Sequence, residues 1–142
     1  MFVSLAFYII SSFLVYFDCK RYIVPNELVS VLFLFVVLFG LINGTLNLYG
    51  FIVAFGLLIF FFLLYLLKLG YVGGGDVKYL LVVSIYLEPL GFAYFLLICG
   101  VLQILFLVFY KRIKKRRFAP MVPAMVLSVL IYEVWFYLNS GV

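Results

Sequence analysis

The chain has 142 residues, of which 70% are hydrophobic and only 11% are charged, and its mean hydropathy is +1.38. So little polar surface excludes a soluble globular domain of this size and predicts an integral membrane protein. The formal charge of +5 does not indicate a nucleic-acid-binding protein, because six of the ten basic residues lie in one run, residues 111–117, between two apolar stretches. That run is expected to orient the chain in the membrane and to contact anionic lipid.

The chain contains no histidine, which excludes Ser–His and Cys–His nucleophiles and the HExxH type of metal site. Its two cysteines, Cys19 and Cys99, are interpreted as small apolar residues because they are 80 residues apart and form no CxxC motif. Acid–base chemistry near neutral pH therefore falls to carboxylate, lysine, tyrosine or cysteine side chains. We expect neither a metal nor a cofactor.

Apolar stretches of roughly 20 residues, the length that a bilayer requires, recur along the chain. We predict an all-α polytopic membrane protein that forms a single six-helix domain over residues 1–142. The predicted spans are, in chain order, residues 2–19, 26–43, 46–67, 76–89, 90–110 and 118–138. The first stretch is expected to be retained as a span, because it has neither a basic leading region nor a small-residue cleavage pattern.

The fourth predicted span is the shortest, since only nine uncharged residues, 79–87, precede Glu88. The alternative is one long bent helix that continues to residue 110. Basic residues collect on the cytoplasmic side of membrane proteins. Two separate helices between Lys78 and the run 111–117 place all ten basic residues on that side, whereas one helix places the run outside. We therefore predict six spans, with both termini on the outer side of a plasma or inner membrane.

Two of the five acidic residues are predicted to form a pair. Asp18 ends the first span and Asp76 opens the fourth, so both carboxylates are expected at the cytoplasmic edge of the membrane, although they are 58 residues apart. Each alone is equally well explained as a solvated or capping residue at a helix end. Carboxylates at membrane depth, however, usually line a polar cavity or carry function. Two close carboxylates can share a proton and so provide an acid and a base that activate water for peptide hydrolysis.

Three glycines, Gly73, Gly74 and Gly75, stand immediately before Asp76. Consecutive glycines carry an entropic cost on folding, but they permit the close approach of another backbone and unusual backbone torsions. Room for an extended peptide substrate beside Asp76 is one interpretation of this stretch, and close helix packing is the other.

A family resemblance rests on two motifs and on the order of the spans. In DCKRYIVPN an aspartate is followed seven residues later by Pro25 and Asn26, and GGGD opens the fourth of six predicted spans. This arrangement resembles the prepilin and preflagellin peptidases, which are membrane aspartic proteases of the GxGD type. The proline and asparagine match the loop signature of that family; we interpret Pro25 as a residue near a helix start and Asn26 as a helix cap.

The resemblance implies roles for five residues around the two motifs. Asp18 and Asp76 correspond to the catalytic pair, Gly73 and Gly75 to the motif glycines, and Gly74 to the variable position between them. Larger members of the family carry paired CxxC motifs and also methylate the new N-terminus. This chain has no CxxC motif, so it resembles the compact peptidase-only members and no methyltransferase activity is expected.

The resemblance also implies a substrate: a prepilin-like or preflagellin-like protein with a short basic leader and an adjoining apolar helix, cut at the cytoplasmic membrane boundary. Two charged residues are candidate auxiliaries, Glu27, which could meet a basic leader, and Lys78, which is close to Asp76 in sequence. No role is assigned to Glu133, which is expected to face the bundle interior or to lie near the outer surface.

Two alternatives remain open at the level of sequence. The FD, GGGD and PAM stretches, the last at residues 123–125, also loosely resemble the motifs of presenilin-like and signal-peptide-peptidase-like proteases. A protein of another class, a small transporter or an assembly subunit, would use Asp18 and Asp76 as a proton or cation relay. Such proteins more often place carboxylates near mid-membrane. Pro120 and Pro123 are expected either to bend the sixth helix or to help pack it.

Overall fold

A computed structural model of the chain describes residues 2–44, 48–68, 73–113 and 119–140, and all regular secondary structure in this part is α-helical. The six helices are α1 (Phe2–Arg21), α2 (Asn26–Ile42), α3 (Leu48–Leu66), α4 (Gly74–Tyr86), α5 (Pro89–Ile113) and α6 (Val122–Ser140). The predicted all-α class is confirmed for these residues.

Several helices have the length and composition of a membrane span. Among the described residues, three helical segments are long and apolar enough to cross a bilayer: Leu48–Leu66, Pro89–Arg112 and Val122–Asn139. The helix Asn26–Ile42 is apolar but shorter. Only 11% of the first segment is buried within the protein, so most of its Leu and Phe side chains point outward. An apolar outer surface of this extent is typical of a protein in contact with lipid.

The region predicted as the fourth and fifth spans forms two helices rather than one. The break lies at Leu87, which has an extended backbone (φ −95°, ψ 150°), and α5 then begins at Pro89. Proline disfavours helical torsions in the residue before it and is well tolerated as the first residue of a helix. The helix α4 begins at Gly74 and ends at Tyr86, within two to three residues of the approximate span predicted for residues 76–89. Its 13 residues span roughly 20 Å, less than the roughly 30 Å hydrocarbon core.

The two prolines near α6 precede or open that helix. Pro120 is fully buried just before it, and Pro123 is its second residue. In the first turn, proline interrupts no backbone hydrogen bond of the helix. Of the two expectations for these prolines, packing is the one that the burial of Pro120 supports, and α6 begins at Val122, four residues after the predicted start of the span. Residues 114–117 of the basic run lie outside the described residues.

The packing of the helices brings three helix ends together. α1 packs against α2 and α6, while α4 packs against α2, α3 and α5. Fully buried side chains at these contacts include Phe7, Leu14, Tyr79 and Met125. The C-terminal end of α1 consequently meets the N-terminal ends of α4 and α6, and these three ends carry the residues of the candidate site.

Candidate active site

Asp18 is held by the first residues of α6. The residue is only 5% exposed, and Oδ2 of its carboxylate accepts a hydrogen bond of 2.9 Å from the backbone N–H of Val122. The backbone N–H of Met121 interacts with the same carboxylate. The N-terminus of a helix has unpaired N–H groups and a positive dipole end, and both attract a carboxylate. Asp18 therefore caps α6 from a different helix, a contact that the spacing of residues in the sequence does not predict.

Asp76 lies in the first turn of α4, where its carboxylate lies against Gly73. Gly73 immediately precedes the helix, and the backbone N–H of Asp76 donates to the carbonyl oxygen of Gly73 at 3.0 Å. Asp76 is half-buried, so it is more accessible than Asp18. An acid in the first turn of a helix is favoured by the helix dipole.

The two carboxylates interact electrostatically across the junction of α1 and α4. The packing of the helix ends therefore makes them neighbours although 58 residues separate them in the chain. The two aspartates differ in their surroundings. The start of α6 fixes the orientation of the Asp18 carboxyl, whereas Asp76 is more exposed to solvent. The arrangement provides two neighbouring carboxyl groups at one end of the bundle, which is the chemical requirement for shared protonation.

The three glycines before Asp76 have three different surroundings. A Cβ atom at Gly73 would lie 2.7 Å from Oδ2 of Asp76, and one at Gly75 would lie 2.5 Å from Cβ of Val24; at Gly74 it would meet no atom within 4 Å. Gly73 thus leaves room for the neighbouring carboxylate, and Gly75 lets the α1–α2 connection approach α4. Only Gly74 faces open space.

Backbone torsions in this stretch are ordinary, contrary to one of our expectations. Gly73 is extended (φ −60°, ψ 128°), and Gly74 and Gly75 belong to α4. Among the glycines of the described part, a positive φ occurs at Gly44. Close approach, rather than a left-handed conformation, therefore explains the first and third glycines of the motif.

The Pro25–Asn26 pair lies at the start of α2, but Asn26 does not cap it. Pro25 occupies the capping position with extended torsions and without a side-chain capping bond, and Asn26 is the first helical residue. The predicted cap is wrong in this respect, since the Asn26 side chain bonds elsewhere: its Oδ1 accepts a hydrogen bond of 2.8 Å from Nζ of Lys78. The predicted position of Pro25 near a helix start is confirmed.

The two candidate auxiliary residues lie on the rim of the site. Lys78 is two residues after Asp76, a spacing that puts the two side chains on different faces of α4, and it joins α4 to α2 through Asn26. Glu27 is exposed in the first turn of α2. The contact of Lys78 therefore links α4 to α2. The exposed side chain of Glu27 can meet a partner of opposite charge.

Cys99 is a residue near the site that sequence reasoning assigned only to packing. It is buried on α5, where it interacts electrostatically with Asp76 and through a side-chain hydrogen bond with Ser128 of α6. The Ser128 hydroxyl itself donates to the carbonyl oxygen of Ala124 at 2.6 Å. No sequence motif identifies these residues, because a single cysteine or serine in an apolar helix looks the same in the sequence whether it packs or lies beside a site. They line the side of the junction that faces α5.

Two grooves run along α4 from the turn that carries Asp76. One lies between α2 and α4, has a volume of about 450 Å³ and is lined by Asn26, Phe33 and Leu34 among others. The other lies between α3 and α4, has a volume of about 400 Å³ and includes Phe61 and Gly74. Apolar surface therefore flanks both sides of the helix that carries Asp76.

Within the described residues, no group of three or more His, Cys, Asp or Glu side chains is arranged to hold a metal ion. The groups at the junction are two carboxyls, the N–H groups that open α6, and neutral hydroxyl and thiol side chains. Such a set can bind and polarise a water molecule and exchange a proton with a bound carbonyl.

Comparison with known proteins identifies the family. The family model described as the type IV leader peptidase family matches residues 5–108, a segment that contains both aspartates and ends within α5. No curated protein and no solved structure matches the chain. The family model covers well over half of the 142 residues, and it agrees with the resemblance carried by the aspartate, Pro-Asn and GGGD stretches. The chain belongs to the type IV leader peptidase family and is a membrane peptidase of that family.

Proposed function

We propose that the chain is an aspartic endopeptidase that removes the basic leader from prepilin-like or preflagellin-like proteins, with Asp18 and Asp76 as its catalytic residues. The observation that carries the proposal is that the last turn of α1, which bears Asp18, and the first turn of α4, which bears Asp76, meet at one end of the bundle, close enough for each carboxyl to influence the other, in a chain of the leader peptidase family. The family favours this function over a proton or cation relay and over a presenilin-like protease.

The proposed mechanism uses one proton shared by the pair. The ionised carboxyl takes a proton from a water molecule, whose oxygen attacks the carbonyl carbon of the scissile peptide, while the protonated carboxyl donates its proton to the carbonyl oxygen. The tetrahedral intermediate then collapses: the C–N bond breaks, the carboxyl that took a proton from water passes it to the departing amine, and the other carboxyl takes a proton from a hydroxyl of the intermediate, so that the pair is again singly protonated. Since only the singly protonated pair is competent, cleavage is expected to have a bell-shaped dependence on pH.

The two carboxyls differ in burial and in hydrogen bonding, which supports different roles for them in the reaction. Asp18 is nearly enclosed and bonded to the first N–H of α6, so its orientation is fixed before substrate arrives. Asp76 is half-buried beside the open position at Gly74, which makes it the carboxyl that a substrate reaches more easily. Pre-set geometry of this kind lowers the entropic part of the activation barrier.

The proposed topology has six spans in one domain, with the active site at the cytoplasmic face of a plasma or inner membrane. Four basic residues near helix ends support it: Arg21, Lys68, Lys78 and Lys111. In this topology all four lie on the cytoplasmic side, where basic residues collect in membrane proteins. The basic run contacts lipid headgroups, and nucleic acid is not a partner. In this setting a basic leader reaches the site from the cytoplasm, and Glu27 is an exposed acid close to its path.

The test is co-expression with candidate prepilins in membranes, following the size shift of the substrate for the wild type, Asp18→Asn and Asp76→Asn at matched expression. Asparagine keeps the shape of aspartate and cannot serve as the acid or the base. We expect the wild type to cleave the substrate and neither variant to give a detectable cleaved product. Normal cleavage by either variant would falsify the two-aspartate mechanism, and a wild type that cleaves no candidate would contradict the proposed substrate class.

A further inference from the structure

A second polar cluster joins the same three helices at their opposite ends. Glu133 of α6 is half-buried and accepts two hydrogen bonds, one from the Tyr8 hydroxyl of α1 to Oε2 at 2.7 Å and one from the Tyr86 hydroxyl of α4 to Oε1 at 2.5 Å. We call these three residues the tyrosine–glutamate clasp. An ionisable side chain within a membrane helix is expected to face the interior and to be paired, and both oxygens of this carboxyl are paired.

The clasp is far from the aspartates along each helix axis. Tyr8 precedes Asp18 by ten residues, and Tyr86 follows Asp76 by ten residues. At ~1.5 Å per residue, each separation is roughly 15 Å. Neither the substrate carbonyl nor the attacking water can touch the clasp from the aspartate end, so any influence on cleavage acts through the helices.

Side-chain contacts connect the two helices that carry the aspartates, and close backbone contacts between these helices are at most few. In the described part of the chain, α1 packs closely against α2 and α6, whereas α4 packs closely against α2, α3 and α5. Between α1 and α4 lie ring and hydroxyl contacts. Phe7 stacks on Tyr86 with ring centroids 4.3 Å apart, and the Tyr79 hydroxyl donates to Oγ of Ser11 at 3.1 Å.

These contacts form a ladder from one end of the bundle to the other. The Asp18–Asp76 pair is at one end. The buried Tyr79–Ser11 bond follows, about one turn from Asp76 along α4 and about two turns from Asp18 along α1. The stacked rings and the clasp are at the other end. Since close backbone contacts between α1 and α4 are few, these side-chain contacts are the ones that resist sliding or rotation of α4 relative to α1. Packed interfaces shift between discrete arrangements instead of deforming smoothly.

We propose that the tyrosine–glutamate clasp positions the catalytic pair: by tying α1 and α4 to one carboxyl group of α6, it holds Asp18 and Asp76 at the separation that cleavage requires. Tyr8, Tyr86 and Glu133 are positioning residues in this proposal, which rests on the proposed function of the aspartates. Misplacement of reacting groups by about 1 Å from a remote change can cost about a hundredfold in rate.

The first experiment compares Tyr8→Phe, Tyr86→Phe and the double variant in a cleavage assay with purified enzyme and a prepilin-like substrate. Each change removes one hydroxyl and keeps the ring, including the stack on Phe7. We expect kcat to fall about tenfold for each single variant, with KM within about twofold of the wild type. Since both hydroxyls bind one carboxyl group, the double variant is expected to lose less than the product of the two single losses.

Tyr137→Phe is the matched control, because this α6 tyrosine is 81% exposed; its kcat and KM are expected to be unchanged. The melting temperature of each variant is measured in parallel. A role in stability alone would lower the melting temperature and leave kcat per folded enzyme unchanged, and that result would overturn the proposal. A large rise in KM at constant kcat would overturn it as well.

A second experiment needs no cleavage and therefore separates failure of this inference from failure of the proposed function. Asp18→Cys and Asp76→Cys are introduced together with Cys19→Ser and Cys99→Ser, and the two new thiols are joined in membranes with a short bifunctional thiol reagent. Addition of Tyr86→Phe is expected to slow cross-linking at least about threefold, since the population of the close arrangement falls. An unchanged rate would refute the positioning role, whatever the activity of the wild type.

Discussion

The two ends of the α1–α4–α6 bundle use carboxyl groups in opposite ways. At one end, Asp18 and Asp76 lie near each other, and backbone N–H groups of α6 bind one of them. At the other end, Glu133 stands between two tyrosine hydroxyls that satisfy both of its oxygens. Hydrogen bonds from neutral donors fix the orientation of a carboxyl group. Two neighbouring carboxyls, in contrast, disfavour each other's ionised form and can share a proton. In the proposed mechanism, therefore, the Asp18–Asp76 pair is the reactive one, whereas Glu133 is a structural carboxyl although it also lies within a membrane helix.

Replacing a carboxyl by an amide at each end of the bundle is expected to have very different effects. Asp76→Asn is expected to reduce kcat/KM by at least about a thousandfold, because it removes an acid–base group from the reaction. Glu133→Gln is expected to reduce it by about tenfold, because an amide of the same shape keeps an oxygen that accepts one tyrosine hydroxyl. Initial rates of prepilin cleavage at matched enzyme concentration measure both. Equal losses at the two ends would contradict the division of roles.

A second change acts on the backbone approach at the aspartate end. Gly75→Ala places a Cβ atom where Cβ of Val24 lies only 2.5 Å away, so the α1–α2 connection must move. Overpacking of this kind costs about 1–3 kcal/mol, and we expect lower thermal stability together with a several-fold loss of cleavage. Gly74→Ala is the control, since a Cβ atom there meets nothing within 4 Å.

Val24→Ala in the Gly75→Ala background tests whether the collision itself is responsible. The smaller side chain frees part of the space, so the melting temperature should recover by at least half of the loss. A double variant no more stable than Gly75→Ala would show that some other feature of the glycine is required.

A third change removes the N–H group that binds Asp18 while keeping the start of α6. Val122→Pro deletes the donor to Oδ2, and proline is well tolerated as the first helical residue. A hydrogen bond to a charged group contributes about 1.5–3 kcal/mol, and a tenfold loss of kcat is expected. Val122→Ala is the control, because it truncates the buried side chain but retains the N–H group. Equal kcat values for the two variants would exclude a role for this donor.

The smallest effect is expected at the exposed Lys78–Asn26 contact, whose two atoms are 2.8 Å apart. Lys78→Met and Asn26→Ala should each lower the free energy of unfolding by less than about 1 kcal/mol, because the contact is open to solvent. The double variant should lose no more than the larger single loss if the hydrogen bond is the shared cause. Chemical or thermal unfolding in detergent measures all three, and additive losses would show that the two residues act separately.

Sequence patterns predicted the helices well because the relevant signals are local. Apolar runs, the break before Pro89 and the proline at the start of α2 act within one or two turns of chain. The same local rules failed where a competing partner was available. Asn26 was a plausible cap from its position, but Lys78 of α4 binds its side chain instead. For the glycine stretch, room for a substrate and close packing were both open, and at Gly75 the close neighbour is Val24 of the same chain.

By itself, the sequence determined that this protein is an α-helical membrane protein with one plausible pair of acids, since hydrophobicity and charge scarcity are properties of composition and order. Only the tertiary structure decided which groups surround those acids. The donor to Asp18 is 104 residues away, and the tyrosine that binds Glu133 from α1 is 125 residues away. Contacts at such separations depend on how helices pack and rotate, and in a chain that is apolar on nearly every helix face the periodicity of hydrophobic residues does not specify that rotation.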